Sequence, residues 1–142
     1  MKNLKLAAVS ASLFLAFSTA AISAPPSKGD YQAGKATIST TYKSDKAACQ
    51  AMSGNAKDIC VEEAKGRESI ARAELEASYE PSTKHSYEVR LAKADAAYAV
   101  AKEKCDDAAG NARDACRKEA KAAYAREKGD AKGAEKRADA NG

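Results

Sequence analysis

The stretch CQAMSGNAKDIC, residues 49–60, recurs with substitutions as CDDAAGNARDAC at residues 105–116. In each copy ten residues separate two cysteines, and Gly-Asn lies at the midpoint. Glycine accepts the left-handed backbone conformation that closes a helix, and asparagine is a common N-cap for the next one. We therefore interpret Gly54-Asn55 and Gly110-Asn111 as tight turns between two helices.

Such a turn brings the flanking cysteines together. Residues equidistant from the turn of an antiparallel hairpin face each other, so Cys49 can bond to Cys60 and Cys105 to Cys116. An uninterrupted helix would hold the two cysteines of a copy about 16 Å apart, which is too far for a disulfide. Of the three pairings that four cysteines allow, this local one is our prediction because it needs only the turn that each copy already encodes.

The paired cysteines also resemble the pattern of the coiled-coil-helix-coiled-coil-helix family, in which two cysteine-bearing helices are bridged to each other. That resemblance implies the alternative pairs Cys49–Cys116 and Cys60–Cys105. This chain has ten intervening residues instead of nine, and Gly-Asn between the cysteines.

The second half of the chain repeats the first with an offset of 56 residues. Matching positions include Tyr31 and Tyr87, Tyr42 and Tyr98, and the cysteines, Gly-Asn pairs and Glu-Ala-Lys runs of the two copies. The segment EPSTKHS, residues 80–86, joins the copies, and its Pro81 predicts a helix stop.

Apolar residues follow helical spacing within each copy. In the second copy they step alternately by four and three residues, which is the heptad seam that packs one helix on another. The pattern predicts four helices, near residues 31–53, 56–79, 87–109 and 112–128, with Asp30 and Ser86 as N-caps of the first and third. The seam residues are Tyr87, Leu91, Ala94, Tyr98, Ala101, Cys105 and Ala108, with Tyr31, Ile38, Tyr42, Cys49 and Met52 in the first copy.

The predicted fold class is all-α: two tandem disulfide-stapled αα-hairpins, arranged as an antiparallel bundle or as an elongated helical array. The predicted organisation is a signal peptide (1–24), a flexible N-terminus (25–29), hairpin repeat 1 (30–79), a linker (80–86), hairpin repeat 2 (87–128) and a disordered tail (129–142).

The N-terminal segment has the three-part pattern of a secretory signal peptide. Lys2 and Lys5 precede an apolar run, residues 6–17, and small residues permit cleavage between Ala21 and Ala24. The run is too short for the roughly 20 residues that a membrane helix needs. We therefore expect a periplasmic or secreted protein with no stable membrane span after cleavage, and disulfides persist in such compartments.

Charge and apolar content limit the possible partners and the ways in which the helices can be held together. Without the leader, 22 basic and 20 acidic residues alternate along the chain instead of forming a basic stripe, so we expect no nucleic-acid partner. Alanine supplies most of the apolar residues, and both phenylalanines lie in the leader. Alanine favours helix but removes little apolar area from water, so the helices need cross-links or very close contact.

The sequence predicts no catalytic, cofactor or metal site. There is no Cys-x-x-Cys pair, and in an exported chain disulfides are preferred over a four-thiolate zinc site. The single histidine, His85, is expected to be an exposed residue of the linker. Four matching tyrosines are expected to pack between helices, with a groove for glycan or peptide as the alternative; they are Tyr31, Tyr42, Tyr87 and Tyr98.

Three segments carry a further resemblance: SDKAACQAMSGNAKDICVEEAKG, AELEASYEPS and AYAVAKEKCDDAAGNARDACRKEAKA. They are similar to a family of small exported proteins of Gram-negative bacteria with an Ala/Lys-rich composition. The composition also resembles the helical stalk of the TolA envelope protein. These resemblances imply a role in the cell envelope.

The leading hypothesis is a non-enzymatic exported helical protein with a structural or protein-interaction role in the cell envelope, bound to envelope proteins that the sequence does not identify. The alternative is a periplasmic stress chaperone, or a binder of small ligands or glycans that uses the tyrosine-bearing seam. The oligomeric state is left open.

Overall fold

The structure is a computed structural model that describes residues 25–142, so the predicted signal peptide and its cleavage site lie outside the described residues. The described chain is all-α, as predicted. Among these residues, no helix is both long enough and apolar enough to cross a membrane. The helices are α1 (Lys28–Cys49), α2 (Gly54–Tyr79), α3 (Thr83–Cys105) and α4 (Gly110–Asn141).

The two disulfides close the two helical hairpins. Cys49 is bonded to Cys60 with a Cα–Cα distance of 5.7 Å, and Cys105 is bonded to Cys116 at 5.6 Å. The local pairing is therefore confirmed, and the alternative pairs across the hairpins are wrong. Cys49 and Cys105 are almost completely buried, so each bridge lies inside the contact between its two helices.

The turns reverse the chain as predicted, but their residues have other roles than expected. Gly54 and Gly110 have positive φ angles, +57° and +52°, and each begins the second helix of its hairpin instead of closing the first. The predicted caps Asn55 and Asn111 are wrong, because the N-cap positions belong to Ser53 and Ala109. The first helix ends at Cys49, which leaves Met52 in the turn with 49% of its surface exposed.

The helices form an open array instead of a closed bundle. Each described helix packs only on its neighbours in the chain: α1 on α2, α2 on α3, and α3 on α4. The core is correspondingly thin and contains only small side chains. Its members are Cys49, Ala64, Ala92, Ala94, Cys105 and Ala131.

The contact between the hairpins depends on a glycine in α2. Gly66 is buried, and a Cβ built on it would lie 2.7 Å from the Cβ of Ala96 in α3. Non-bonded carbon atoms do not come that close, so Gly66 leaves the room that Ala96 of α3 occupies. Small residues on both sides thus allow α2 and α3 to pack without large apolar side chains.

Several predicted boundaries are wrong because side chains cap the helices earlier than expected. Residues 25–29 are not all flexible: α1 begins at Lys28, and Ser27 and Asp30 form a capping box in which each side chain accepts a hydrogen bond from the other's backbone N–H. The Ser27 hydroxyl also donates to the Asp30 carboxylate and holds its pKa below the usual value. Asp30 is therefore the N3 residue and not the cap.

The linker between the hairpins is shorter than predicted. Ser82, not Ser86, is the N-cap of α3, since its hydroxyl accepts a hydrogen bond from the His85 backbone N–H. Only residues 80–82 separate α2 from α3. His85 consequently lies in the first turn of a helix.

The prediction of a disordered tail from residue 129 is also wrong, because α4 continues to Asn141. The N-terminal half of α3 offers the tail a packing surface. Ala131 is buried there, the Thr83 hydroxyl donates to the Asp139 carboxylate at 2.5 Å, and the Lys132 ammonium lies 5.2 Å from the centre of the Tyr87 ring. Alanine residues at helical spacing, with few large apolar side chains, are enough to pack the C-terminal part of α4 against α3.

We expect each disulfide to stabilise the protein by about 3 kcal/mol, because each closes a loop of about a dozen residues in the unfolded chain. The pairwise variants Cys49→Ser/Cys60→Ser and Cys105→Ser/Cys116→Ser should each lower the free energy of unfolding by about that amount in urea titrations followed by circular dichroism. Peptide mapping without reductant provides the control, and a peptide that links residue 49 to residue 116 would contradict the fold.

The glycine contact predicts opposite effects for two Gly→Ala substitutions. Gly66→Ala should destabilise the protein, because overpacking of about 1–3 kcal/mol exceeds the gain in helix propensity of about 1 kcal/mol. Gly129→Ala, in α4, should stabilise it by up to about 1 kcal/mol because nothing lies within 4 Å of the added Cβ. Thermal unfolding measures both changes, and addition of Ala96→Gly should relieve part of the Gly66→Ala defect.

Candidate functional site

An apolar groove runs between α2 and α3 along the contact between the hairpins. It has a volume of about 490 Å³ and is open to solvent along its length. Half-buried Ile70 and Val100 supply its largest apolar side chains. Its lining residues are Glu63, Gly66, Arg67, Ile70, Lys93, Ala96, Ala97, Val100, Ala101 and Lys104.

The open array explains why this groove is uncovered. In a closed four-helix bundle, another helix would cover the apolar face that α2 and α3 share. Here α1 and α4 lie on the outer sides of α2 and α3, and neither contacts the helix beyond its neighbour. Small residues at Gly66, Ala96 and Ala97 leave the floor of the groove close to the helix backbones.

Charged residues surround the groove, and several are held by ion pairs. The Arg67 guanidinium donates to Asp45 of α1 at 2.9 Å, and the Lys93 ammonium lies 2.7 Å from the Glu74 carboxylate. The Lys93–Glu74 pair joins α3 to α2 beside the groove. All of these groups are at least partly exposed, so the pairs add little net stability, but they give the rim both signs of charge.

Asn55 joins the two hairpins by hydrogen bonds, near the ends of α2 and α3 that carry the disulfides. Its side-chain amide donates to the backbone carbonyl of Glu103 at 2.8 Å and to the carboxylate of Asp107 at 2.7 Å. The predicted capping role of Asn55 is thus replaced by a contact between hairpins. Asn111, its counterpart in the second copy, is exposed and makes no side-chain hydrogen bond among the described residues.

The four seam tyrosines do not converge on one site. Tyr31 stacks on Tyr79 with ring centres 4.3 Å apart, and Tyr98 stacks on Tyr124 at 4.9 Å. The Tyr87 ring lies under the ammonium group of Lys132 in α4. Each ring is half-buried inside its own hairpin, which is the packing role that the heptad spacing predicted.

Two tyrosine hydroxyls donate to carboxylates. Tyr31 donates to Glu76 and Tyr124 donates to Asp95, both at 2.5 Å. In each case the hydrogen bond raises the pKa of the phenol above its usual value, since ionisation would place a phenolate against a carboxylate. These bonds position the carboxylates as well as the rings.

Tyr42 differs from its counterpart Tyr98, because the position that supplies the stacking ring Tyr124 in the second copy is Glu68 in the first. A groove of about 180 Å³ lies beside Tyr42. Its volume is below the 300–1,000 Å³ that is typical of small-molecule pockets. It therefore gives a ligand beside Tyr42 only limited room.

A cluster of possible metal ligands lies at the end of the array where α2 is joined to α3. Glu76, Glu80 and His85 each bring one ligand atom to within 4.8 Å of the others. We did not predict this cluster, because the sequence interpretation placed His85 in a mobile linker. The sequence feature that points to the cluster is the position of the single histidine four residues after Pro81. Because the chain reverses between α2 and α3, His85 lies next to the last turn of α2.

Asn55 and Asn111 provide a matched pair of substitutions. Asn55→Ala should lower the free energy of unfolding by about 1 kcal/mol more than Asn111→Ala does, because only Asn55 bonds to the other hairpin. The two positions occupy the same place in equivalent helices, so differences in helix propensity cancel. Urea unfolding of both variants measures the difference, and equal effects would show that the Asn55 bonds contribute no stability.

Comparison of the chain with protein-family models, with curated proteins and with solved structures found no match.

Proposed function

We propose that the protein is a non-enzymatic helical scaffold of the cell envelope that binds a helical segment of another protein in the groove between α2 and α3. The observation that carries the proposal is the uncovered apolar groove, whose floor of glycine and alanine lets another helix approach closely. The rim carries both lysine or arginine and glutamate, which suits a partner helix with an apolar stripe and mixed flanking charges.

The cysteines and the leader support the proposed compartment. All four cysteines of the described residues are in disulfides, and each bridge holds one hairpin. Disulfides persist in oxidising compartments such as the periplasm. Together with the signal-like residues 1–24, they support a periplasmic or secreted scaffold.

The alternative function, a chaperone or small-ligand binder using the tyrosines, has weaker support from the geometry. Three of the four seam rings contact a partner ring or a lysine across their own hairpin, and the groove beside Tyr42 is small. The α2–α3 groove contains no tyrosine. The scaffold proposal therefore uses a different surface from the one that the sequence suggested.

Site-specific photo-crosslinking tests the scaffold proposal in cells that produce the protein. A photoreactive phenylalanine at Ala97, an exposed residue in the groove, should yield an adduct whose mapped site lies in an amphipathic helix of one partner. The same residue at Ala125, an exposed alanine on α4, should not yield that adduct.

A synthetic peptide with the mapped sequence completes the test. Ala97→Lys should weaken its binding at least tenfold in calorimetry because the substitution puts a charge into the apolar groove, whereas Ala125→Lys should leave it unchanged. Equal adducts at both positions, no adduct at Ala97, or equal binding by the two lysine variants would contradict the proposal.

A further inference from the structure

The end of the first hairpin brings two carboxylates and the single imidazole of the chain together. Glu76 lies in the last turn of α2, Glu80 is the residue that caps the C-terminus of α2, and His85 lies in the first turn of α3. The three-residue connection reverses the chain between them, so that one ligand atom from each lies within 4.8 Å of the others. Side chains from α2, from its C-cap and from α3 thus lie close together.

Neighbouring groups orient two of the three side chains. The His85 Nδ1 lies 2.5 Å from the Glu80 carbonyl oxygen, and because a carbonyl only accepts, this nitrogen carries the proton. The lone pair is then on Nε2, and the side chain is only 15% exposed. Tyr31, stacked on Tyr79, donates its hydroxyl to one oxygen of Glu76 and leaves the other free. A hydrogen bond from an imidazole N–H to a carbonyl, and one from a hydroxyl to a carboxylate, are both used to orient the ligands of metal sites in proteins.

The cluster places two carboxylates close together. Among the described residues, neither Glu76 nor Glu80 is in an ion pair, whereas the nearby Glu88 lies 3.7 Å from the Lys84 ammonium. Glu88 also lies 3.9 Å from the His85 Nε2. A divalent cation would offset the two unpaired carboxylates.

The second copy provides an internal comparison. The positions that correspond to Glu76, Glu80 and His85 are Lys132, Lys136 and Asn141. Tyr87, the counterpart of Tyr31, has the ammonium of Lys132 over its ring, whereas Tyr31 has that of Lys35 over its ring and donates its hydroxyl to Glu76. The second hairpin therefore carries two ammonium groups and an amide at the three positions where the first hairpin carries possible metal ligands.

We propose that Glu76, Glu80 and His85 bind a divalent transition-metal ion of the zinc class, with solvent in the remaining coordination position. Imidazole with carboxylates is a ligand set of Zn²⁺, whereas Ca²⁺ and Mg²⁺ take oxygen ligands. Bound there, the ion links the last turn of α2 to the first turn of α3. It would hold the connection between the hairpins at the end opposite to Asn55.

Calorimetric titration of the purified, oxidised, EDTA-treated protein with ZnCl₂ tests the site. The protein should bind one equivalent, His85→Gln and Glu80→Gln should each weaken binding more than tenfold, and Tyr31→Phe should weaken it by about tenfold through loss of ligand orientation. Glu119→Gln, the same charge change at an exposed residue of α4, should bind like the original protein.

Thermal unfolding gives a second measurement. Zn²⁺ should raise the unfolding midpoint of the original protein and of Glu119→Gln but not that of His85→Gln, because only a ligand that binds the folded site stabilises it. Equal amounts of Ca²⁺ should not reproduce the shift. Absence of binding by the original protein, or undiminished binding by both His85→Gln and Glu80→Gln, would overturn the proposal.

Discussion

The covalent closure of each hairpin is the constraint on which the remaining structure depends. The buried residues are alanine and cysteine, which remove little apolar area from water, so non-covalent packing alone holds the four helices weakly. A disulfide five residues from each turn limits the freedom of the unfolded chain and keeps the two helices of a hairpin in register. With that register set, the tyrosine stacks and the contacts of small residues can form along the helices.

Contact between the hairpins depends on much smaller features. Gly66 leaves room for Ala96, and Asn55 joins the beginning of α2 to the end of α3. The equivalent positions on the outer helices are Ala122 on α4 and Thr40 on α1. Ala122 carries a Cβ where Gly66 has none, so α4 lacks the feature that admits Ala96 against α2.

The two copies have diverged in ways that give their ends different chemistry. Tyr31 bonds to a carboxylate of α2, and the equivalent Tyr87 lies under a lysine of α4. Tyr98 has a stacking partner that Tyr42 lacks. Duplication preserved the elements that make a hairpin, and substitutions on its flanks created a carboxylate–imidazole cluster at one end and a groove between the copies. An open array allows such changes because most of its side chains remain in contact with water.

The sequence by itself determined the helices, the two reversals and the disulfide pairing, because these follow from local spacing: the positions of glycine, cysteine and apolar residues within a few turns of one another. Local capping was not determined in this way, since Ser27 and Ser82 cap the helices for which Asp30 and Ser86 were predicted as caps. Only the tertiary structure decided that the helices form an open array, that residues 129–141 continue as a helix against α3, and that Gly66 and Asn55 join the hairpins. Those features depend on contacts between residues about 30 to 60 positions apart, and alanine-rich helices carry too little variation in size for sequence spacing to specify such contacts. The groove and the cluster around His85 arise at those contacts, so they appear only when the helices are placed side by side.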